Sequence, residues 1–274
     1  MAYHHPAAQV RVKPFVIELN PVVESEARHA VDLLNRGDIR TGKSIIARLM
    51  DSHPNNYLVA YASGLCHIHE EKFDEAIAAF ETAIQIFPYC EEAYYNLGAV
   101  YRQKFNIPKT VAAFRKTIEV GDPRDVFVKN ASSRIKELER IIFEQYRLPI
   151  DTYIKSYELF DQGFDAMREK RHEKAIGMFT ASLAICDKNP QCHGNIGICH
   201  ARLGRKDEAL KAFTLALEID PNYEPAIVNM AIVERLKEGG ALPSEEMRVV
   251  DYYREYTAKN KSYVQSLLNA PEEN

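Results

Sequence analysis

The sequence predicts an all-α protein built from stacked pairs of antiparallel helices. Three observations indicate this fold class. Small and aromatic residues recur with a period of 34 residues, apolar residues between them follow helical spacing, and a proline closes most of the units. Because one helix pair cannot bury its apolar face alone, about three or more pairs must stack to complete a core.

The clearest unit runs from residue 57 to residue 90, and its two helices carry Gly64 and Phe80. Small residues let the two helices approach closely, and the phenylalanine fills the space between units. A proline such as Pro88 cannot continue a helix and therefore ends the second one. The same marks return in residues 91–124, 156–189 and 190–223. A weaker first copy at 23–56 has Gly42 where the others have alanine, and 224–237 reads as a solitary first helix.

These units resemble the tetratricopeptide repeat, whose signature of Leu-Gly, Tyr and Phe is seen at Leu97, Gly98, Tyr101 and Phe114. At about 34 residues per unit, the resemblance covers roughly three quarters of the chain. It implies a right-handed α-solenoid whose first helices line a concave groove for protein binding.

Two segments interrupt the repeat. Residues 125–146 keep helical spacing without the small and aromatic marks, which predicts one long helix, and after Pro149 the side chain of Asp151 can cap the next helix. Beyond Pro243, Ser244 can cap an amphipathic helix that closes the stack. The predicted organisation is an N-terminal extension (1–22), a block of three repeats with a degenerate first one (23–124), a long helical spacer (125–150), a block of two repeats plus a solitary helix (151–238) and a C-terminal capping helix (244–268).

Composition excludes several classes of protein. The 35 Lys plus Arg against 39 Asp plus Glu give a net charge of −4, which argues against a nucleic-acid partner. No stretch approaches the ~18 apolar residues of a membrane helix, and the first residues lack a secretory signal core, so we expect no membrane insertion. Five cysteines, an odd number, do not indicate a disulfide framework. The expected location is cytoplasmic.

The segment GDIRTGKS, Gly37 to Ser44, satisfies the phosphate-binding P-loop pattern. A P-loop must follow a β-strand, whereas the residues before Gly37 have apolar side chains at helical spacing. We therefore interpret the segment as the turn and second helix of the first unit. No cofactor is expected.

Cysteine and histidine residues crowd one stretch, at Cys186, Cys192, His193, Cys199 and His200. They lack the tight pairs typical of tetrahedral zinc sites, so core packing is the favoured interpretation and no metal is predicted. No catalytic triad setting such as G-x-S-x-G is present. The chain is predicted not to be an enzyme.

The resemblance places groove-facing side chains at fixed positions of each first helix. Asn96, Asn195 and Asn229 share one such position, where an amide can either bind a peptide backbone or hydrogen-bond within its own helix pair. An apolar stripe at 157–167 must be covered by a partner, a second copy, or the chain's own C-terminal helix or KPFVIELNP segment. The candidate peptide-binding residues are Tyr61, Tyr95, Asn96, Arg102, Tyr157, Phe160, Phe164, Asn195 and Asn229.

Co-chaperone members of the family hold a partner's C-terminal carboxylate with lysine, asparagine and arginine side chains. In the C-terminal block, Phe160, Pro225 and Asn229 stand where basic residues would be needed. Binding of a chaperone tail is therefore not predicted, because a buried carboxylate requires cationic donors.

The predicted function is a non-catalytic adaptor that binds a peptide or helical segment of another protein in the groove. The alternative is a self-assembling scaffold, a homo-oligomer whose groove is filled by a terminal element of its own or of a neighbouring chain.

Overall fold

A computed structural model describes residues 20–235, which contain twelve α-helices and no β-strand. The predicted all-α fold class is confirmed. The predicted capping helix at 244–268 and most of the N-terminal extension lie outside the described residues. The helices are α1 (Pro21–Asn35), α2 (Ile39–Ser52), α3 (Tyr57–His69), α4 (Phe73–Ile86), α5 (Glu91–Gln103), α6 (Ile107–Val120), α7 (Val126–Tyr146), α8 (Ile150–Arg168), α9 (His172–Ile185), α10 (Pro190–Arg202), α11 (Lys206–Ile219) and α12 (Glu224–Glu234).

The chain divides into two compact units, and the boundary lies inside α5, between Val100 and Tyr101. In the first unit α1 packs on α2, both contact α3, and α3 packs on α4. In the second unit each helix from α6 to α12 packs on the next, and the α8–α9 and α10–α11 pairs are the most extensive. The division into two repeat blocks and a spacer remains a prediction.

In the pairs α3–α4, α8–α9 and α10–α11, a glycine on the first helix faces a phenylalanine on the second. A Cβ atom added to Gly64 would lie 2.5 Å from the ring of Phe80. The corresponding distance is 2.8 Å between Gly163 and Phe179, and 2.6 Å between Gly197 and Phe213. Real Cβ atoms do not come this close, so glycine is required where the ring packs against the helix. The three phenylalanines are fully buried.

The first helix pair reverses this arrangement. Here the glycine is Gly42 on α2, and a Cβ atom at that position would lie 2.9 Å from the side chain of Leu34 on α1. The second helix of the degenerate unit therefore forms as a regular helix, with the large side chain on one helix and the small residue on the other.

The turns inside the helix pairs share a feature that the sequence does not mark. A residue with positive φ recurs at intervals of 34 residues, first from 37 to 105 and again from 170 to 204, and such a left-handed residue typically ends a helix. Only two of the five are glycine, so the pattern is invisible to a search for glycine. The residues are Gly37, Glu71, Phe105, Lys170 and Gly204.

The helix after Pro149 begins two residues earlier than a cap at Asp151 predicts. Pro149 is itself the N-cap residue of α8, and Asp151 lies inside the first turn instead of capping it. The carboxylate of Asp151 accepts two hydrogen bonds from the Arg115 guanidinium on α6, at 2.7 and 3.1 Å. The aspartate therefore joins α8 to α6, and the prediction that it caps the helix was wrong.

Candidate protein-binding site

The Asn96 amide on α5 makes hydrogen bonds inside the protein. Its Nδ2 donates to the Tyr61 hydroxyl at 3.2 Å and to the backbone carbonyl of Glu92 at 2.9 Å. The Tyr61 side chain is only 8% exposed, and its ring lies 5.9 Å from that of Phe80. Burial raises the pKa of Tyr61, so its hydroxyl stays protonated and polar. At this position the asparagine links two successive units of the stack.

Two of the predicted groove aromatics on α8 lie in the packed interior. Tyr157 belongs to a cluster with Val111 of α6 and Ile142 of α7. Phe160 is 2% exposed and packs 5.3 Å from the ring of Phe179 on α9. The predicted apolar stripe is therefore covered at these positions by the neighbouring helices of its own unit.

Asn195 on α10 differs from Asn96 in its hydrogen bonding. Its side chain is 0% exposed, and neither its Oδ1 nor its Nδ2 has a hydrogen-bond partner among residues 20–235. The residue 35 positions before Asn96 is Tyr61, whereas the residue 35 positions before Asn195 is Phe160. Phe160 offers no hydroxyl like that of Tyr61, to which the Asn96 amide donates a hydrogen bond.

The other predicted site residues fall into two groups. Tyr95 and Arg102 of α5 and Phe164 of α8 are half-buried, and Phe164 stacks 6.5 Å from Phe160 with the Arg168 guanidinium 5.6 Å from its ring. Asn229 is buried on α12. In all, five of the nine predicted contact residues are buried side chains: Tyr61, Tyr157, Phe160, Asn195 and Asn229.

Sequence reasoning missed Gly194, which lies next to Asn195 and takes the repeat position of Tyr61 and Phe160. A Cβ atom on Gly194 would lie 3.1 Å from the Tyr223 ring, so the ring of the following turn occupies the space beside α10. The sequence marks this position, because Gly194 stands where three other repeats have the aromatic residues Tyr61, Tyr95 and Phe160.

The P-loop pattern forms a helical turn. Gly37 has a φ of +86° between α1 and α2, and the Asp38 side chain accepts a hydrogen bond from the Thr41 backbone N–H as the N-cap. The Lys43 ammonium, which would hold phosphate in a P-loop, pairs with the carboxylate of Glu70. The predicted helix–turn–helix is confirmed at this segment.

The cysteines and histidines of α10 do not assemble into a ligand set. Within residues 20–235, no three His, Cys, Asp or Glu side chains are arranged to hold a metal ion. Burial raises the pKa of both Cys192 and Cys199 to about 12, so these thiols stay neutral. Both cysteines are fully buried and pack in one hydrophobic cluster with Phe213 of α11.

Comparison with known protein families agrees with the 34-residue helix pairs. A profile described as tetratricopeptide repeat matches residues 190–223, and a profile described as TPR repeat matches residues 68–104. Both segments are tetratricopeptide repeats. Repeat proteins of this kind use their extended surfaces to bind other proteins.

Related proteins share the repeat over part of their length. Superkiller protein 3 of Schizosaccharomyces pombe is 26% identical over 56% of this chain and 12% of that protein. Small glutamine-rich tetratricopeptide repeat-containing protein 2 of Saccharomyces cerevisiae is 33% identical over 27% of this chain and 21% of that protein. This chain therefore matches only a minor part of either relative.

Among solved structures, the TPR domain of P58(IPK) covers 77% of this chain and 55% of its own, with 17% identity and a TM-score of 0.41. No helix within residues 20–235 of this chain is long and apolar enough to cross a membrane.

Proposed function

We propose that this protein is a non-catalytic adaptor that binds an extended segment of another protein along the first helices of its C-terminal repeats. The buried, unpaired amide of Asn195 on α10 is the observation that supports this most directly. The half-buried Phe164 of α8, in the same block, is a further proposed contact.

An unpaired buried amide costs about 1–3 kcal/mol of folding free energy. The cost at Asn195 is avoidable, because an apolar side chain of similar size would pack in the same space without unsatisfied polar atoms. A peptide backbone offers one N–H donor and one C=O acceptor per residue, which match the two halves of the Asn195 amide. Because the Asn195 side chain is 0% exposed, the side chains that cover it must move before a peptide reaches the amide, and binding would then recover the hydrogen bonds that the free protein leaves unmade.

The test compares three variants against a peptide selected from a displayed random library on the wild-type protein. Asn195→Leu is expected to keep or raise the free energy of unfolding. It should raise the dissociation constant of the selected peptide at least about tenfold, a loss of binding free energy near 1.4 kcal/mol. Phe160→Tyr should supply the hydroxyl that Tyr61 gives to Asn96, and so weaken binding by pairing the amide internally. Asn130→Leu, a half-buried asparagine on α7, serves as the matched control.

Calorimetric titration of the selected peptide measures the affinities, and urea denaturation measures the stabilities. The proposal is wrong if no peptide is selected, or if Asn195→Leu binds as tightly as Asn130→Leu. Light scattering on the same samples tests the scaffold alternative, which requires a mass that rises with protein concentration above the 31.3 kDa of one chain.

A further inference from the structure

Three neighbouring aromatic rings form a surface patch in the first unit, where the end of α4 leads into α5. Tyr89 is 54% exposed, and its ring lies 6.0 Å from that of Phe87. The Phe87 ring in turn lies 4.8 Å from that of Tyr57, the first residue of α3, and both side chains are half-buried. The aromatic patch of Tyr57, Phe87 and Tyr89 therefore offers a surface on which a planar group can stack.

Two carboxylates lie near this aromatic patch. Glu24 stands in the first turn of α1, and Glu92 stands in the first turn of α5. Burial raises the pKa of Tyr57, and the charges of Glu24 and Glu92 raise it further, against the opposing effect of Arg28. The Glu92 carboxylate also accepts a hydrogen bond from the Cys90 thiol, at 3.5 Å. Both carboxylates are therefore close enough to the Tyr57 hydroxyl to act on it.

The Glu24 carboxylate lacks a partner for one of its oxygens. Its Oε1 is buried, and no residue among 20–235 donates a hydrogen bond to it. The Arg28 side chain, one turn further along α1, is exposed and does not bond this oxygen. A buried carboxylate oxygen is costly unless a hydrogen-bond donor or a cation compensates it. The Glu24 side chain as a whole is only half-buried, so a small rotation of the carboxylate brings this oxygen to a ligand at the surface.

The charge of the first unit favours a cationic ligand. Residues 20–100 contain 6 Lys plus Arg and 12 Asp plus Glu, so their net charge is 6 − 12 = −6. Residues 101–235 contain 22 Lys plus Arg and 19 Asp plus Glu, so their net charge is 22 − 19 = +3. The negative charge of the described chain is therefore concentrated in the first unit, where it attracts basic segments and speeds their association.

We propose that this face of the first unit binds a basic segment of a partner protein. An arginine side chain of that segment stacks on the aromatic patch and pairs with the carboxylates of Glu24 and Glu92. The guanidinium group suits both contacts, because it is planar, stacks on aromatic faces and donates two parallel hydrogen bonds to a carboxylate. It would supply the donor that the Glu24 Oε1 lacks.

Helix dipoles alone do not account for this arrangement. Negative charge in the first turn favours a helix wherever it stands, and Glu75 has the same place in α4. Glu75 is exposed and lies about 18 Å along α4 from Phe87. Glu24 differs because one of its oxygens is buried without a donor and because it lies near the aromatic patch. Glu75 is therefore the matched control for Glu24.

The experiment measures binding of a short labelled peptide of alternating arginine and serine to the full-length protein by fluorescence anisotropy. The reference peptide has citrulline in place of arginine, which keeps the shape of the side chain and removes its charge. We expect the citrulline peptide to have a dissociation constant at least about tenfold higher. Equal affinities for the two peptides would overturn the proposal.

Two pairs of variants locate the binding face. Glu24→Gln should raise the dissociation constant of the arginine peptide about fivefold, whereas Glu75→Gln removes the same charge and should change it less than about twofold. Tyr89→Ser should raise it about threefold, and Phe143→Ser, at a ring of α7 that is 53% exposed, should leave it unchanged. Equal effects within either pair would show attraction to net charge or to any exposed ring, and the proposal would be wrong.

Arg28→Gln provides a gain that misfolding cannot imitate. Removal of this competing positive charge should lower the dissociation constant of the arginine peptide about threefold, and an unchanged or higher value would count against the site.

A second copy of the chain is the competing occupant of the aromatic patch. A dimer that light scattering detects in the wild type and that Tyr89→Ser dissolves would overturn the proposal. The inference does not depend on peptide binding at Asn195, because its residues all belong to the first unit and its tests use different variants.

Discussion

At the scale of single residues, the helix pairs depend on positions where a methyl group does not fit. Gly197 and Gly177, which lie in neighbouring repeats, differ in whether a methyl group fits. The first faces the Phe213 ring, whereas a Cβ atom on Gly177 in α9 would meet nothing within 4 Å. The same substitution should therefore have opposite effects at the two sites.

We expect Gly197→Ala to lower the free energy of unfolding by about 1–3 kcal/mol, because the ring of Phe213 must move to admit the methyl group. Gly177→Ala should raise it by about 0.4–1 kcal/mol, because alanine restricts the unfolded chain and favours the helix. Urea denaturation of both variants measures the difference. Similar values for the two variants would contradict the role given to the Gly197–Phe213 contact.

The left-handed turn residues provide a second comparison between equivalent positions. Lys170 has a φ of 60°, and Gly204 has a φ of 75° one repeat later. Lys170→Gly should stabilise the protein by up to about 1 kcal/mol, because glycine adopts this conformation without steric cost, and Gly204→Lys should destabilise it by a similar amount. Chemical denaturation measures both changes in the free energy of unfolding. A loss of stability in Lys170→Gly would contradict the steric cost assigned to this turn residue.

The His172 side chain predicts a pH dependence of stability. Burial, together with the nearby Arg202 and Lys170, lowers the pKa of His172 below its ordinary value of 6.5, and its place at the start of α9 disfavours a positive charge further. The unfolded chain therefore takes up the proton first, so stability present above pH 6.5 is lost as the pH falls through the folded pKa. His172→Gln should reduce the loss of stability between pH 7 and pH 5 without abolishing it, because burial also lowers the pKa of His67, His193 and His200. An unchanged profile would show that other groups cause the acid loss.

At the scale of helices, α8 is the element on which two hydrophobic clusters meet. Its Tyr157 packs with α6 and α7, and its Phe160 packs with α9 and α10. The sequence places both aromatic residues in a binding groove because they occupy groove positions of the repeat. Both side chains are instead buried, so α8 packs against the long helix α7 on one side and against the following repeats on the other.

Truncation of the two neighbouring aromatic side chains of α8 should show, from the loss of stability, which of them lies in the core. Phe160→Ala is expected to cost about 3–5 kcal/mol, the range for a fully buried phenylalanine. Phe164→Ala should cost markedly less, because its side chain is only half-buried. Thermal and urea denaturation monitored by circular dichroism measure both changes, and equal losses would contradict the assignment of Phe160 to the core.

At the scale of the whole molecule, the residues of the nucleotide-binding and metal-binding patterns serve to hold or pack helices. The Lys43 ammonium of the P-loop pattern is paired with Glu70, and the cysteines of α10 are neutral packing residues. We expect millimolar ATP with Mg²⁺ to leave the melting temperature unchanged, because a ligand stabilises a fold only by binding it. Differential scanning fluorimetry checks this, with Lys43→Ala as a control that removes the paired lysine. A rise in melting temperature that Lys43→Ala abolishes would restore the nucleotide interpretation.

Local sequence determined the helices, their 34-residue period and the close approach within each pair, because helical spacing and the fit of glycine against phenylalanine depend on residues near in the chain. The P-loop pattern could likewise be set aside from the helical spacing before Gly37.

Only the tertiary structure decided which groove-position residues are solvent-facing and which amides are paired. Asn96 and Asn195 occupy the same repeat position, yet the Asn96 amide has the Tyr61 hydroxyl as a partner and the Asn195 amide has no hydrogen-bond partner among residues 20–235. The difference arises because the hydroxyl partner of Asn96 comes from the preceding repeat, where the sequence is not the same in every copy. Burial and hydrogen bonding at such positions depend on contacts between units, and repeat position alone does not specify them.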